Sequence, residues 1–85
     1  MIERKPLEKD VHPDKTIDAR GHYCPVPLLR LKKEIAVMKS QQIAQLDSTD
    51  PGTGNDIASW CAKVNNNYLG EKKGDSFTSY FVMKE

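Results

Sequence analysis

Hydrophobic and polar residues alternate in a short segment near the start of the chain. In residues 16–20, Ile17 and Ala19 fall on one side of an extended backbone, with polar neighbours on the other. This period of two predicts a strand that buries Ile17 and Ala19. Gly21 then interrupts the pattern, so we expect the chain to turn just before Cys24.

From Pro25 onward the apolar residues recur at intervals of three and four, which predicts an amphipathic helix. The stripe consists of Leu28, Leu31, Ile35 and Met38. Pro25 and Pro27 mark the start of this helix, because proline lacks an amide hydrogen and its fixed φ angle suits the first helical turn.

The middle of the chain predicts another strand and a second helix. A weaker pattern indicates a strand at residues 40–48, and the turn and capping residues at 50–54 start a helix near Thr53. Its apolar stripe consists of Ile57, Cys61 and Val64, with Trp60 beside them. Asparagine accepts the left-handed conformation more readily than most residues, so we expect the helix to end within residues 65–67.

Two strands, residues 68–72 and 77–84, complete the predicted fold, and Gly74 suits the hairpin turn between them. The order βαβαββ predicts an α+β fold: a two-layer sandwich with both helices on one face of a four-stranded mixed sheet. In residues 77–83, apolar residues fall on both faces of the strand. The pattern therefore leaves open which set points inward.

The first residues and the composition limit the class of protein. Residues 1–15 are rich in charge and show no periodicity, so they predict a flexible extension ahead of one domain at residues 16–85. The formal net charge is +1, and no apolar run is long enough to span a bilayer. We therefore expect a cytoplasmic protein that does not enter a membrane, and the near-neutral charge argues against direct nucleic-acid binding.

The two cysteines have different predicted environments. Cys24 immediately precedes Pro25 at the start of the first helix, and a helix N-terminus favours a thiolate over a thiol. A thiolate attacks persulfide sulfur, and a sulfur of low pKa is also a good leaving group. Cys24 is therefore the candidate reactive residue, whereas Cys61 is expected to pack in the core.

The residues around Cys24 form a longer motif. They read Asp18-Ala19-Arg20-Gly21-His22-Tyr23-Cys24-Pro25-Val26-Pro27. This segment resembles the TusA/SirA-like sulfur-carrier family, in which a strand and a glycine turn lead into a Cys-Pro-x-Pro motif at the first helix. The resemblance continues through the lysine-bearing helix, the Asp50-Pro51 turn and the final aromatic strand.

The resemblance implies both a fold and a function. The implied fold is a βαβαββ sandwich similar to the C-terminal domain of translation initiation factor three. The implied function is that of a sulfur carrier rather than a turnover enzyme, with the sulfur held as a persulfide on Cys24. Gly21, Pro25, Pro27 and Asp18 are the residues that support the motif, and no cofactor is expected.

The same resemblance implies partner proteins. The expected donor is a cysteine desulfurase or a rhodanese-like protein, and the expected acceptor is a protein with a reactive cysteine, such as a DsrE-like protein. The free carrier is expected to be a monomer. Whether the sulfur serves tRNA thiolation, cofactor biosynthesis or sulfur oxidation stays open.

Charged residues near the cysteine have more than one interpretation. Arg30, Lys32 and Lys33 form a basic face on the first helix that either docks an acidic partner surface or is simply solvated. A structural metal site needs about four ligands, so His12 and His22 are expected to be solvated, and no metal site is predicted.

Two other functions remain as alternatives. One is a non-catalytic module that binds RNA or a regulatory protein through the basic helix and exposed Trp60 or Tyr residues. The other is a redox switch in which Cys24 and Cys61 form a disulfide, which requires α carbons within about 7 Å of each other.

Overall fold

One mixed sheet and two helices make up the computed structural model, which describes residues 11–23 and 25–85. In chain order the elements are β1 (Lys15–Asp18), α1 (Val26–Val37), β2 (Ile43–Ser48), α2 (Thr53–Val64), β3 (Asn67–Lys73) and β4 (Thr78–Met83). The predicted α+β fold and the order βαβαββ are confirmed. Residues 1–10 of the predicted extension, and Cys24, lie outside the described residues.

The sheet combines one parallel and two antiparallel strand pairs. Its strand order is β1-β2-β4-β3. β1 runs parallel to β2, with Ile17 opposite Leu46, and α1 is the connection that a parallel pair requires. β4 is antiparallel to both β2 and β3, so Leu46 lies opposite Tyr80. β1 and β3 are therefore the edge strands.

Both helices pack on the same face of this sheet. α1 contributes Leu31 and Ile35 to the core, and α2 contributes Ile57 and Cys61. The sheet contributes Ile17, Ala19, Ala44, Leu46, Tyr80 and Val82. Because side chains alternate along a strand, the inward set of β4 is the one that contains Tyr80 and Val82. This resolves the orientation that the sequence pattern left open.

Two predictions about α2 were wrong. Val64 was expected on the buried stripe, but its side chain is 43% exposed because it occupies the last residue of the helix. Trp60 was considered as an exposed binding residue, but it is half-buried and packs against the core. The stripe of α2 therefore ends at Cys61.

Two residues other than glycine adopt left-handed backbone conformations at the ends of elements. Asn65 has a φ of 61° and ends α2, as the sequence predicted. Gln41 has a φ of 73° just before β2, and its N–H donates to the carbonyl oxygen of Lys84 at 2.8 Å. That hydrogen bond ties the turn before β2 to the end of β4.

Candidate functional site

The turn between β1 and α1 is fastened to a neighbouring loop. Gly21 has a φ of 83°, a conformation in which a residue without Cβ meets no steric penalty. Its N–H donates to Thr49 Oγ1 at 3.0 Å, so the loop after β2 holds the turn from one side. The Val26 N–H donates to the carbonyl oxygen of Tyr23 at 2.9 Å, which closes the turn across the cysteine position.

Asp18 and Arg20 form a two-pronged ion pair at the end of β1. Arg20 Nε donates to Asp18 Oδ1 at 2.9 Å, and Nη2 donates to Oδ2 at 3.1 Å. The Arg20 backbone N–H also donates to Oδ1. These hydrogen bonds stabilise the carboxylate and lower the pKa of Asp18 from 3.8 to about 2. Asp18 therefore stays ionised at neutral pH and organises the entry to the turn.

Two further side chains connect this ion pair to distant elements. Arg30 Nη1 donates to the Asp18 carbonyl oxygen at 3.1 Å, which ties α1 to the end of β1. The Arg20 guanidinium lies over the ring of Phe77, 5.2 Å from its centroid, a cation–π contact with the loop between β3 and β4. No local pattern indicates the Phe77 contact, since 57 positions separate the two residues.

α1 begins directly after the cysteine position. Pro25 is its N-cap, and the Leu29 N–H donates to the Pro25 carbonyl oxygen at 3.0 Å. Pro27 lies buried in the first turn, which contains no acidic residue, so no carboxylate there offsets the positive end of the helix dipole. Cys24 itself lies outside the described residues, and its position at the helix tip stays a prediction.

The predicted basic face divides into two parts. Arg30 is engaged with Asp18, whereas Lys32 and Lys33 are exposed on α1. Two exposed apolar side chains lie nearby: Tyr23 is 73% exposed and Leu29 is 54% exposed. Exposed Tyr residues were part of one alternative, whereas sequence reasoning missed Leu29. Leu29 lies off the apolar stripe of α1, which was the available indication that it faces outward. Exposed apolar residues beside lysines are suited to contact another protein.

A cleft of about 360 Å³ lies next to the turn. One wall is the loop after β2, which includes Thr49 and Pro51, and the other is the loop between β3 and β4, which includes Phe77. Thr49 and Phe77 are also the residues that contact Gly21 and Arg20. The same two loops therefore hold the turn and border an adjacent recess.

Cys61 has the environment of a core residue. Its side chain is 2% exposed and carries a free thiol. Burial raises its pKa from 9.0 to about 11, because a thiolate is poorly solvated there. The predicted packing role of Cys61 is confirmed. The disulfide alternative stays a prediction, because Cys24 lies outside the described residues.

The described residues do not gather a metal-binding cluster. Within residues 11–23 and 25–85, no group of three or more His, Cys, Asp or Glu side chains is arranged to hold a metal ion. His12 and His22 are both exposed. Over the same residues, neither helix has the length and apolar character needed to cross a membrane.

Comparison with known proteins assigns the chain to a family. The family model described as sulfurtransferase TusA matches residues 15–84, which include all six elements and the Cys-Pro-x-Pro motif. The sulfur carrier protein TusA of Allochromatium vinosum is 38% identical over 72 residues, which cover 85% of this chain and 93% of the relative. The putative sulfur carrier protein YrkI of Bacillus subtilis is 31% identical over 71 residues, 84% of this chain and 95% of the relative.

A solved structure has the same fold. The SirA-like protein of Desulfitobacterium hafniense superposes with a TM-score of 0.73 at 19% identity, covering 84% of this chain and 99% of that protein. At this identity the similarity concerns the fold alone. Taken with the match over residues 15–84, it leads to one conclusion: this chain belongs to the TusA family.

Proposed function

We propose that this protein is a sulfur carrier that holds one sulfane sulfur atom as a persulfide on Cys24. The observation that carries the proposal is the family match over residues 15–84, which includes Cys24 within the Cys-Pro-x-Pro motif. The geometry on both sides of Cys24 supports it, because a fastened turn precedes the cysteine and a helix N-terminus follows it. The carrier unit is residues 16–85, and residues 1–15 are an extension.

The proposed chemistry consists of two sulfur exchanges. In loading, the Cys24 thiolate attacks the terminal sulfur of a donor persulfide. A new S–S bond forms on Cys24, the S–S bond of the donor breaks, and the donor cysteine leaves as a thiolate. In unloading, an acceptor thiolate attacks the terminal sulfur on Cys24, which in turn leaves as a thiolate. Each exchange balances without an external oxidant or reductant.

The helix N-terminus has a role in both exchanges. Pro25 and Pro27 lack an amide hydrogen and the Val26 N–H donates to Tyr23, so the positive end of the helix dipole is the feature that favours negative charge on a sulfur placed there. Cys24 is the attacking thiolate in loading and the leaving thiolate in unloading, so one electrostatic feature assists both directions. The absence of an acidic residue in the first turn of α1 leaves this feature unopposed from within the helix.

A sulfur carrier works with a donor protein and an acceptor protein. We propose a cysteine desulfurase or rhodanese-like protein as donor and a protein with a reactive cysteine, such as a DsrE-like protein, as acceptor, all in the cytoplasm. Lys32 and Lys33 extend from α1 with Tyr23 and Leu29 close by in sequence, which suits a partner with an acidic rim around an apolar centre. The free carrier is proposed to be a monomer.

Intact-mass spectrometry tests the proposal directly. The protein is incubated with a cysteine desulfurase and cysteine, and the mass gain of one sulfur atom is followed over time. The parent and the Cys61→Ala variant are expected to gain one sulfur, and Cys24→Ser is expected to gain none. Sulfur loading that persists in Cys24→Ser would overturn the assignment of Cys24.

The thiolate is tested separately by alkylation. In the Cys61→Ala variant, the pH dependence of the alkylation rate reports the pKa of Cys24. That pKa is expected to lie below the value of about 8.5 for an unperturbed cysteine. An ordinary or raised pKa would contradict the role assigned to the helix N-terminus.

A further inference from the structure

One large side chain is buried on the sheet face that points away from the helices. Along β2 and β4, Leu46 and Val82 point toward the helices, whereas Gln45 and Phe81 point to the opposite face. Phe81 is nevertheless 5% exposed. In a two-layer fold this face is ordinarily open to solvent, so the ring of Phe81 must be covered from above.

The neighbouring strands supply part of that cover. The partner of Phe81 on β3 is Gly70, which has no side chain to lie over the ring. On β2, Gln45 Nε2 donates to Asp47 Oδ1 at 2.9 Å, and Ser79 Oγ donates to the same oxygen at 2.7 Å. Gln45 Nε2 also donates to Ser79 Oγ on β4 at 3.4 Å, so its amide is held toward Asp47 and Ser79. By alternation, half-buried Ile43 and Met83 share this face with Phe81, and Val11 adds cover from outside the sheet.

The segment before β1 runs along this face. A cavity of about 330 Å³ on the face is lined by Val11 together with Phe77 and Phe81. Val11 is half-buried although it precedes the first strand. Asp14 fixes the path of the chain here, because its N–H donates to the Ile43 carbonyl oxygen and its Oδ2 accepts from the Ile43 N–H, both at 2.8 Å. Asp14 thus continues the pairing with β2, and Val11, three residues earlier, lies on the open face.

Residues 1–10, which lie outside the described residues, have the length and composition to cover the face. Ten extended residues reach about 33 Å, whereas four strands span about 14 Å between the outermost axes. The segment contains the apolar residues Met1, Ile2 and Leu7. Glu8 and Asp10 stand just before Val11, and Lys72 and Lys73 line the cavity at Val11. The family match begins only at residue 15, so this segment lies outside it.

We propose that residues 1–10 dock on the open face of the sheet, with Leu7 as an apolar anchor near Val11 and Phe81. In an extended chain Leu7 and Val11 fall on the same side, about 13 Å apart, so both can contact the sheet. The extension, which the sequence predicts to be flexible, would then have a defined binding position on the sheet. This position does not involve Cys24 or the sulfur exchanges.

Paramagnetic broadening tests the docking in the full chain. A spin label is attached at Lys5→Cys in a Cys24→Ser background, where the burial of Cys61 leaves the introduced thiol as the reactive one. Amide signals of Phe81 and its open-face neighbours are expected to lose intensity, while those of α2 keep it. A label at Val37→Cys, an 80% exposed site at the end of α1, serves as the control and should spare Phe81.

Matched variants and a mixing experiment separate the possible occupants of the face. Leu7→Asp is expected to abolish the broadening at Phe81, whereas Lys9→Asn, a neighbouring polar change, should leave it in place. Equal broadening of the sheet and helix layers, or insensitivity to Leu7→Asp, would overturn the proposal. So would broadening that passes from a labelled molecule to an unlabelled, isotope-enriched one, because a second copy would then occupy the face.

Discussion

Removing Cys24 leaves Cys61 as the only thiol, and the structure specifies how unreactive that thiol should be. Burial raises the pKa of Cys61 to about 11. At pH 8 a thiol with that pKa is about 0.1% ionised, whereas a cysteine at the ordinary value of 9.0 is about 9% ionised. Because the thiolate is the nucleophile, native Cys61 should react about 90-fold more slowly than an unperturbed cysteine, before any steric protection is counted.

Alkylation with iodoacetamide at pH 8, followed by intact mass, measures this ratio. The Cys24→Ser protein is assayed both native and in denaturant, so that each molecule serves as its own reference. We expect native labelling to be more than about 100-fold slower than unfolded labelling, and the Cys61→Ala protein to label rapidly at Cys24. Native labelling within about tenfold of the unfolded rate would refute the burial argument.

The same burial makes stability depend on pH in the alkaline range. The pKa of Cys61 is raised in the folded state. The contribution of its protonated thiol to the free energy of unfolding is therefore complete below about pH 9 and is lost as the pH rises through about 11. At pH 10 the free energy of unfolding is about 1.4 kcal/mol lower than at neutral pH on account of Cys61. Urea unfolding of the parent and of Cys61→Ala should diverge by that amount between pH 7 and pH 10. Parallel pH profiles would contradict it.

Three further predictions concern the turns and the ion pair. Gly21→Ala forces a residue with Cβ into a φ of 83°, so urea unfolding should show a loss of about 1 kcal/mol, and sulfur loading should slow. Gln41→Gly relieves a φ of 73° and should stabilise by about 1 kcal/mol in the same assay; a loss of stability would show that the Gln41 side chain matters more than its backbone. Arg20→Met removes the side-chain hydrogen bonds that lower the pKa of Asp18 but keeps the backbone N–H that donates to Oδ1, so the Asp18 carboxyl NMR titration should move from about 2 part of the way toward 3.8. In the parent, the ionised Asp18 carboxylate stabilises the folded state above about pH 3.8, and this stabilisation is lost as the pH falls through about 2.

Much of the fold could be predicted because local pattern and tertiary packing agree. Alternation placed Ile17 in the core, and the spacing of three and four placed Leu31 and Ile35 there. The asparagine run ended α2 through a left-handed Asn65, as its backbone preference suggested. In each case one local preference already matches the position that packing requires.

The remaining features depend on contacts that no local pattern encodes. In β4, apolar residues occupy both faces, so alternation could not distinguish Val82 in the core from Phe81 on the open face. Val64 continues the helical spacing but sits at the final residue of α2, where it is 43% exposed. The contact between Arg20 and Phe77 joins residues from opposite ends of the domain. Each of these features depends on how two or more elements pack against one another. The periodicity within a single element carries no information about that packing.

The turn before Cys24 is held by elements that the sulfur exchanges do not use. Thr49 anchors Gly21 from the loop after β2, Phe77 supports Arg20 from the loop after β3, and Arg30 ties α1 to Asp18. A carrier presents the same sulfur first to a donor and then to an acceptor, so the shape of the turn should not depend on contacts with either partner. Contacts from three elements of the chain itself hold the backbone on both sides of Cys24. The exposed side chains on α1 are then available to recognise the partners.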